Sequence, residues 1–255
     1  MKQIDLKGKT AFVFGVADEH SIAWAIAKSL HAAGCRIAIG HQDRTAEMVK
    51  PLLPKVDALD VVCDVTDDAQ LDAAFEKIKN EFGRLDFLIH SIAFAKREDL
   101  QGQFVDTSRR GYQIAQEVSS YSLVTLAKRA APLMVHGGSI IAMTYYGSEK
   151  VIPNYNVMGV AKAALEASIR YLAADLGPKQ IRVNGISAGP IKTMAASAVK
   201  DFDKMLGFFR QKVPLRKNTE AEEVGDTALF LCSDLSRGIT GQIIYVDEGY
   251  CIMGM

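Results

Sequence analysis

With 255 residues, of which 49% are hydrophobic, the chain is long enough for one large core and too short for two comfortable domains. Its 30 Lys and Arg residues balance 30 Asp and Glu residues, so no overall field draws it to nucleic acid or to an anionic membrane. We therefore expect one domain over residues 1–255 that binds any anionic ligand through local contacts.

The N-terminal residues and the cysteines indicate a cytoplasmic protein. MKQIDLKGKTAFVFG lacks the charged, apolar and small-residue order of a signal peptide, and no apolar stretch approaches the roughly 20 residues of a membrane-spanning helix. The four cysteines are scattered without a C-x-x-C spacing. We expect no metal site, no disulfide and a reducing compartment.

Seven short apolar runs alternate with longer amphipathic stretches, and each run predicts a strand. The runs are TAFVF, RIAIG, LDVVC, LDFLIH, GSIIAM, IRVNGIS and GQIIYVD. Several have no polar alternation, as expected of strands buried on both faces. The pattern predicts an α/β fold, a doubly wound Rossmann-type domain with a seven-stranded, mostly parallel sheet and helices on both faces.

The segment after the first strand predicts a glycine-poor loop for the phosphates of a dinucleotide. Gly15 permits a tight turn and a close backbone approach, and the predicted helix begins at Ile22. Ser21 can cap that helix and offer a hydroxyl, while Ala23 is small enough for close helix–sheet packing.

The stretch from Ile152 to Gly177 predicts one helix that carries Tyr155 and Lys162. Seven residues make nearly two turns, so both side chains should leave the same face, about 10 Å apart along the axis. A phenol and an ammonium on one face can flank a small ligand. The alternative is a tyrosine and a lysine that merely face solvent.

These motifs resemble the NADH-dependent enoyl-acyl-carrier-protein reductases of bacterial type II fatty acid synthesis, in the short-chain dehydrogenase/reductase superfamily. The resemblance is carried by Gly-Val-Ala at 15–17, Ser-Ile-Ala at 21–23 and the Tyr-x6-Lys pair, and it spans nearly the whole chain. It departs from the family at His41, Tyr146 and Glu248. It implies hydride transfer from NADH to the double bond of a trans-2-enoyl-acyl-carrier-protein thioester, the last reductive step of fatty acid elongation, in a homotetramer.

The resemblance implies three catalytic residues, Tyr145, Tyr155 and Lys162. Lys162 would bond the nicotinamide ribose hydroxyls, and Tyr155 would stabilise negative charge on the thioester oxygen. The charge of Lys162 should favour a polarised or partly ionised phenol nearby. Because Tyr146 adjoins Tyr145, the assignment between these two tyrosines stays open.

The resemblance also implies the residues that bind the cofactor. They are Gly15, Ser21, Ile22, Gln42, Asp64, Val65, Ser91, Ile92, Ala93, Lys162, Ile191, Thr193 and Ala195. Gln42 favours NADH over NADPH, although Arg44 could reach a 2′-phosphate. Asp64 would accept from the adenine amino group, or alternatively cap a helix near Thr66, and His90 is expected to be a satisfied strand histidine.

Residues 191–216 interrupt the strand–helix rhythm with a helical pattern and predict a substrate-binding lid, or else a small helical decoration packed on the core. The implied substrate-binding residues are Phe94, Ala95, Met158, Val199, Phe202 and Met205. The cations Lys200, Lys204, Arg210 and Lys212 either meet an acidic acyl carrier protein or form an ordinary solvated face.

Two other functions are open to the sequence. A carbonyl-reducing short-chain dehydrogenase of the 3-oxoacyl type shares the cofactor fold, but its tyrosine would stand at position 158, which is Met158. A non-catalytic dinucleotide-binding regulator would not need the intact Tyr155 and Lys162.

Overall fold

The structure is a computed structural model that describes residues 4–193 and 202–254. In this part of the chain, seven strands form one wholly parallel sheet in the order β3-β2-β1-β4-β5-β6-β7. The strands are β1 Thr10–Phe14, β2 Arg36–His41, β3 Leu59–Val62, β4 Phe87–His90, β5 Gly138–Thr144, β6 Ile181–Ala188 and β7 Ile243–Val246. All seven predicted strands and the doubly wound fold are confirmed.

The helices lie on both faces of this sheet. They are α1 Ile22–Ala32, α2 Ala46–Val49, α3 Asp68–Phe82, α4 Arg109–Gln116, α5 Ser122–Ala130, α6 Asn156–Leu176, α7 Phe202–Lys212 and α8 Ala221–Cys232. A π-helical turn, Glu117–Tyr121, joins α4 to α5. No helix among the described residues is long and apolar enough to cross a membrane.

Alternate residues of each strand supply two separate cores. In β1, Ala11 and Val13 pack into the core that includes α1 and α8, whereas Phe12 and Phe14 pack into the core that includes α3, α5 and α6. Successive side chains of a strand point to opposite faces, and here both faces are covered. This is the physical reason that the strand sequences are continuous apolar runs.

The strand order reverses between β1 and β4, which lie side by side although β2 and β3 separate them in sequence. In open parallel sheets of this kind, ligands bind outside the carboxyl ends of the strands at such a switch point. The loops that begin at Gly15 and Ser91 follow these two strands.

Helix α6 begins at Asn156, four residues later than the sequence predicts. Asn154 and Asn156 have left-handed φ angles of 63° and 33°, and asparagine tolerates this conformation better than most residues. Tyr155 therefore occupies the cap position before the helix. The prediction that Tyr155 and Lys162 belong to one helix is wrong, because the asparagines turn the chain at that point.

Candidate active site

Gly15 lies directly against the backbone of Ser91 at the switch point. Its φ angle is 102°, and a Cβ atom at this position would stand 2.0 Å from the Ser91 carbonyl oxygen. The Ser91 N–H in turn donates to the Phe14 carbonyl over 3.1 Å. Only glycine fits this contact, which brings the two predicted cofactor loops together.

The first turn of α1 fits the phosphates of a dinucleotide. A helix start leaves its first N–H groups without intrahelical acceptors, and these groups attract anions. Helix α1 starts at the predicted Ile22 and follows the Gly15 loop, which presents no side chain at its tightest point. Gly15 and Ile22 thus lie on the loop and at the helix start where a pyrophosphate is predicted to bind.

Ser21 departs from its predicted role. It stands at the cap position of α1 and is buried, yet its hydroxyl donates to the Asp18 carbonyl over 2.7 Å and makes no side-chain cap bond. The turn at Asp18 brings that carbonyl within reach, so the hydroxyl proton is used inside the loop. The capping prediction is wrong, while the oxygen lone pairs stay available as acceptors.

Gln42 and Asp64 meet beyond the ends of β2 and β3. The Gln42 amide donates to Asp64 over 2.8 Å, and Asp64 accepts from the Thr66 N–H over 2.9 Å and from its hydroxyl over 2.8 Å. Partial burial acts to raise the pKa of Asp64, but the hydrogen bonds from Thr66 and Gln42 and the charge of Arg44 lower it. Asp64 is a fixed, ionised acceptor.

Asp64 does not begin the helix predicted near Thr66. Helix α3 begins at Asp68, and Asp67 is its cap, accepting from the Gln70 N–H over 3.1 Å. Asp64 instead closes the turn that precedes α3. His41, a departure from the family pattern, is buried and joins β2 to β3 through Asp60, with 2.7 Å between Nε2 and the carboxylate.

The other predicted cofactor residues lie beyond β3, β4 and β6. Val65 and Ile92 are partly buried against the core that includes α3, and Ala93 is exposed. Ile191 packs against the opposite core, and Thr193 is the last residue before the undescribed stretch. Ala195 lies outside the described residues.

Tyr145 and Tyr155 form an edge-to-face pair, with ring centroids 4.9 Å apart and ring planes at 74°. Tyr146 turns away from them, and its ring contacts Tyr245 and Tyr250 with centroids 6.2 and 5.8 Å away. The structure thus places Tyr145, and not its neighbour, beside Tyr155.

Lys162 is buried with 5% of its surface exposed, and its Nζ donates to the Met143 carbonyl over 2.7 Å. Burial lowers the pKa of Lys162 to about 8, against the opposing effect of Glu166. Glu166 lies one turn further along α6, is itself buried, and accepts from the Thr144 hydroxyl over 2.6 Å. The end of β5 therefore fixes both buried charged groups of α6.

The phenol of Tyr155 is held in its neutral form. Burial raises its pKa well above the ordinary value, and nearby Tyr145 and Glu166 raise it further. Burial likewise raises the pKa of Tyr145 to about 12, with a smaller contribution from Tyr250. The raised pKa contradicts the partly ionised phenol expected from the charge of Lys162, because burial disfavours the ionised form.

The predicted substrate residues fall into two groups. Met158 is buried in a small apolar cluster against which Ala95 and Tyr155 pack. Phe94, the residue before Ala95, is 39% exposed. On α7, Met205 is only half-buried, whereas Phe209 is buried and its ring lies 5.2 Å from that of Tyr250. Val199 and the side chain of Phe202 lie outside the described residues.

His90 is only half satisfied. Its Nε2 lies 2.7 Å from the Ser122 hydroxyl, which donates its own proton to the Val118 carbonyl over 2.7 Å, so Nε2 must be the donor. Its Nδ1 is buried without a hydrogen-bond partner. Burial lowers the pKa of His90 to about 3, and the charge of Lys162 contributes. The expectation of a fully satisfied histidine is wrong.

The sequence analysis missed several residues that build this site. Ser119 holds the Phe94 loop, and Glu166 holds Thr144. Gly147 lies against both tyrosine rings: a Cβ at this position would stand 2.5 Å from Tyr155 Cδ1 and 3.3 Å from Tyr145 Cδ1. Only Gly147 left a sequence signal, as a glycine next to two tyrosines. The others act through contacts between distant segments.

Comparisons with known proteins show the family of the chain. The family model described as Enoyl-(Acyl carrier protein) reductase matches residues 15–251. The Enoyl-[acyl-carrier-protein] reductase [NADH] FabI of Synechocystis sp. is 52% identical, over 99% of this chain and 100% of its own length. The Bacillus subtilis protein of the same name is 49% identical, over 97% of each chain.

Solved structures give the same result. The Bacillus cereus enoyl-acyl carrier protein reductase, crystallised with NADP+ and indole naphthyridinone, has a TM-score of 0.96 and 51% identity, covering 98% of this chain and 100% of that one. The Anaplasma phagocytophilum enzyme in complex with NAD has a TM-score of 0.95 and 46% identity, covering 98% and 96%. The chain belongs to the enoyl-(acyl carrier protein) reductase family.

Proposed function

We propose that the protein reduces the carbon–carbon double bond of trans-2-enoyl thioesters carried on acyl carrier protein. NADH, when bound, supplies the hydride that attacks the β-carbon. The observation that carries the proposal is the contact between the protonated phenol of Tyr155 and the ring of Tyr145, next to the helix that carries the buried Lys162.

Tyr155 stabilises the charge that the reaction creates. Addition of hydride to the β-carbon leaves negative charge on the thioester oxygen, and a preorganised O–H donor there lowers the barrier. Because its pKa is raised, Tyr155 keeps its proton at neutral pH and can donate a hydrogen bond to the thioester oxygen. The α-carbon then receives a proton from solvent or by relay through a phenol.

Lys162 and Gln42 hold the two ends of the dinucleotide. Lys162 donates to Met143 with one proton and keeps two for the nicotinamide ribose hydroxyls. Gln42 and Asp64 face the adenosine end, and the amide of Gln42 suits a free 2′-hydroxyl, which supports NADH over NADPH.

Carbonyl reduction is disfavoured by the residue one turn before Lys162. A ketone needs full proton transfer from a phenol at that position, which is occupied by the thioether of Met158, buried in an apolar cluster.

Oxidation of NADH at 340 nm tests the proposal. Crotonyl and longer trans-2-enoyl thioesters should be reduced, the matching 3-oxoacyl thioesters should not, and kcat/KM should be higher with NADH than with NADPH. Turnover of only the 3-oxoacyl substrates would establish the carbonyl reductase instead. Tight NADH binding without any turnover would identify a regulator, and a higher kcat/KM with NADPH would overturn the cofactor preference.

The acyl carrier protein is proposed to meet the basic residues of α7. Arg210 is exposed near the C-terminal end of α7. Its positive charge attracts an acidic partner. Arg210→Glu should raise KM for enoyl-acyl-carrier-protein and leave KM for a small enoyl thioester unchanged. Arg237→Glu, at an exposed site on another segment, is the control, and equal effects on both substrates would contradict this surface.

The remaining expectations concern the whole chain. We propose a single domain over residues 1–255, in which residues 191–216 cover the substrate, and a homotetramer in the cytoplasm. The four free cysteines suit a reducing compartment. A monomer by light scattering at micromolar concentration would refute the tetramer, and recovery of the protein outside the cytoplasmic fraction would refute the location.

A further inference from the structure

Arg44 and Phe94 touch although they follow strands on opposite sides of β1. The guanidinium carbon of Arg44 lies 5.7 Å from the centroid of the Phe94 ring, within the range of a cation–π contact. Arg44 follows β2 and Phe94 follows β4, and both strands pair with β1. The contact therefore joins the loops on either side of the β1 end, where Gly15 begins the phosphate loop.

Arg44 is anchored at the adenosine end of the site. Its Nε donates to Gln42 Oε1 over 2.6 Å, and the Gln42 amide donates to Asp64 over 2.8 Å. Arginine has only donors and an ionised aspartate only acceptors, so this is the one orientation of the amide that satisfies both. The position of Arg44 is thus linked to the residues that face the cofactor ribose.

Phe94 is anchored at the substrate end. Its N–H donates to the Ser119 hydroxyl over 2.9 Å, and its carbonyl accepts from that hydroxyl over 3.1 Å. The same hydroxyl lies 3.7 Å from the sulfur of Met158, in the apolar cluster beside Tyr155. Ser119 belongs to the π-helical turn, a feature that often marks functional segments.

We propose that Arg44 is a positioning residue that couples the adenosine end of the cofactor to the acyl end of the site through Phe94. This inference rests on the proposed function. With a free 2′-hydroxyl, Arg44 stays on the Phe94 ring and holds it in place. A 2′-phosphate offers charged oxygens that pair with a guanidinium more strongly than a ring does, so NADPH draws Arg44 away and releases Phe94.

The coupling predicts a kinetic signature that a purely structural arginine would not give. In the unmodified enzyme, KM for a trans-2-enoyl thioester should be about twofold to fivefold higher with saturating NADPH than with saturating NADH, the range of one exposed cation–π contact. Arg44→Leu and Phe94→Leu should each abolish this difference, and the double variant should add nothing further. Arg44→Lys keeps the charge but loses the planar group that stacks on the ring, so it should show a smaller difference in KM than the unmodified enzyme and a larger one than Arg44→Leu.

A matched contact elsewhere in the chain supplies the control. Arg36, at the start of β2, lies over the ring of Phe82 at 4.5 Å, the same kind of pair at the opposite edge of the sheet. Arg36→Leu should leave both values of KM unchanged. An equal loss in Arg36→Leu and Arg44→Leu would mean a general effect on stability and would overturn the proposal.

A binding experiment tests the coupling without turnover. In protein labelled with 4-fluorophenylalanine, the Phe94 resonance is assigned by its absence in Phe94→Leu. Adenosine 2′,5′-bisphosphate should shift that resonance more than adenosine 5′-phosphate does, and Arg44→Leu should remove the excess shift. Equal shifts with both nucleotides would overturn the inference while leaving the proposed reductase activity intact. Absence of enoyl turnover in the unmodified protein would instead refute the proposed function.

Discussion

At the scale of single residues, burial decides the protonation states of Tyr155 and Lys162, the two groups proposed to act in catalysis. It raises the pKa of Tyr155 and lowers that of Lys162 to about 8. Both shifts disfavour the charged forms, as desolvation does. The result at neutral pH is a phenol that donates and an ammonium close enough to its pKa to lose its charge in mildly alkaline solution.

Cofactor binding should therefore weaken above pH 8. As the pH rises through about 8, Lys162 becomes neutral and loses one of the donors proposed to bind the ribose, so Kd for NADH should increase. The folded pKa lies below the ordinary value of 10.5, so the unfolded chain binds the extra proton between these two values. The contribution of Lys162 to the free energy of unfolding therefore rises with pH between these two values. Since the fold becomes more stable in this window, unfolding cannot explain the weaker NADH binding.

Titration calorimetry from pH 6.5 to 9.5 measures this effect. Lys162→Arg, whose side chain stays charged, should give a weaker but nearly pH-independent Kd, and Lys162→Ala should abolish binding. Unchanged affinity in Lys162→Ala would contradict the role assigned to the lysine.

At the scale of elements, the segment between β5 and α6 shapes the site. Gly147 follows β5 and lies against the ring of Tyr155, and a Cβ on Gly159 of α6 would stand 2.6 Å from the Gly147 carbonyl. Two glycines thus let the loop and the helix approach closely enough to hold the tyrosine pair.

Gly147→Ala should damage catalysis through this packing. The new methyl group would stand 2.5 Å from Tyr155 Cδ1, so the ring must move. A displacement on the order of 1 Å in a catalytic group costs up to about 100-fold in rate, so we expect a fall in kcat of about tenfold or more.

Gly177→Ala is the matched control, because nothing lies within 4 Å of the added Cβ and the Gly177 φ angle of −53° suits alanine. A kcat for Gly147→Ala as high as that of the control would show that the ring position does not matter.

The elements also show how much the sequence reveals. The strands and the Gly15 loop follow from apolar runs and from one glycine, which are local signals. The start of α6 does not, because it depends on the left-handed Asn154 and Asn156. The contacts of Arg44 with Phe94 and of His90 with Ser122 join segments far apart in sequence, so no local pattern could indicate them.

At the scale of the whole molecule, the sheet collects the site at one edge. Gly15, Gln42, Ser91 and Tyr145 follow the carboxyl ends of β1, β2, β4 and β5. Parallel strands bring these ends together, which is why residues spread over most of the chain can contribute to the one proposed site.

Burial of a neutral histidine in this sheet should make the protein sensitive to acid. The unfolded chain takes up a proton at His90 below about 6.5, whereas the folded chain resists until about 3. The free energy of unfolding should therefore fall between these values as the pH falls, by up to about 1.4 kcal/mol per pH unit.

Urea unfolding at pH 7, 6, 5 and 4.5 checks this prediction. His90→Gln removes the titrating group. The slope of the unfolding free energy against pH should therefore become smaller by the equivalent of about one bound proton. His136→Gln, at an exposed position, should follow the unmodified protein. Equal slopes for His90→Gln and the unmodified protein would show that His90 is not the responsible group.

The central claim is that hydride reaches the β-carbon of an enoyl thioester and that no carbonyl is reduced. The most direct measurement uses NADH deuterated at the transferred position of C4, with crotonyl thioester in ordinary water, and locates the label by NMR. We predict a saturated butyryl thioester with one deuterium at C3 and an unlabelled hydrogen added at C2. Deuterium on a hydroxyl-bearing carbon, obtained only with the 3-oxoacyl thioester, would contradict the account.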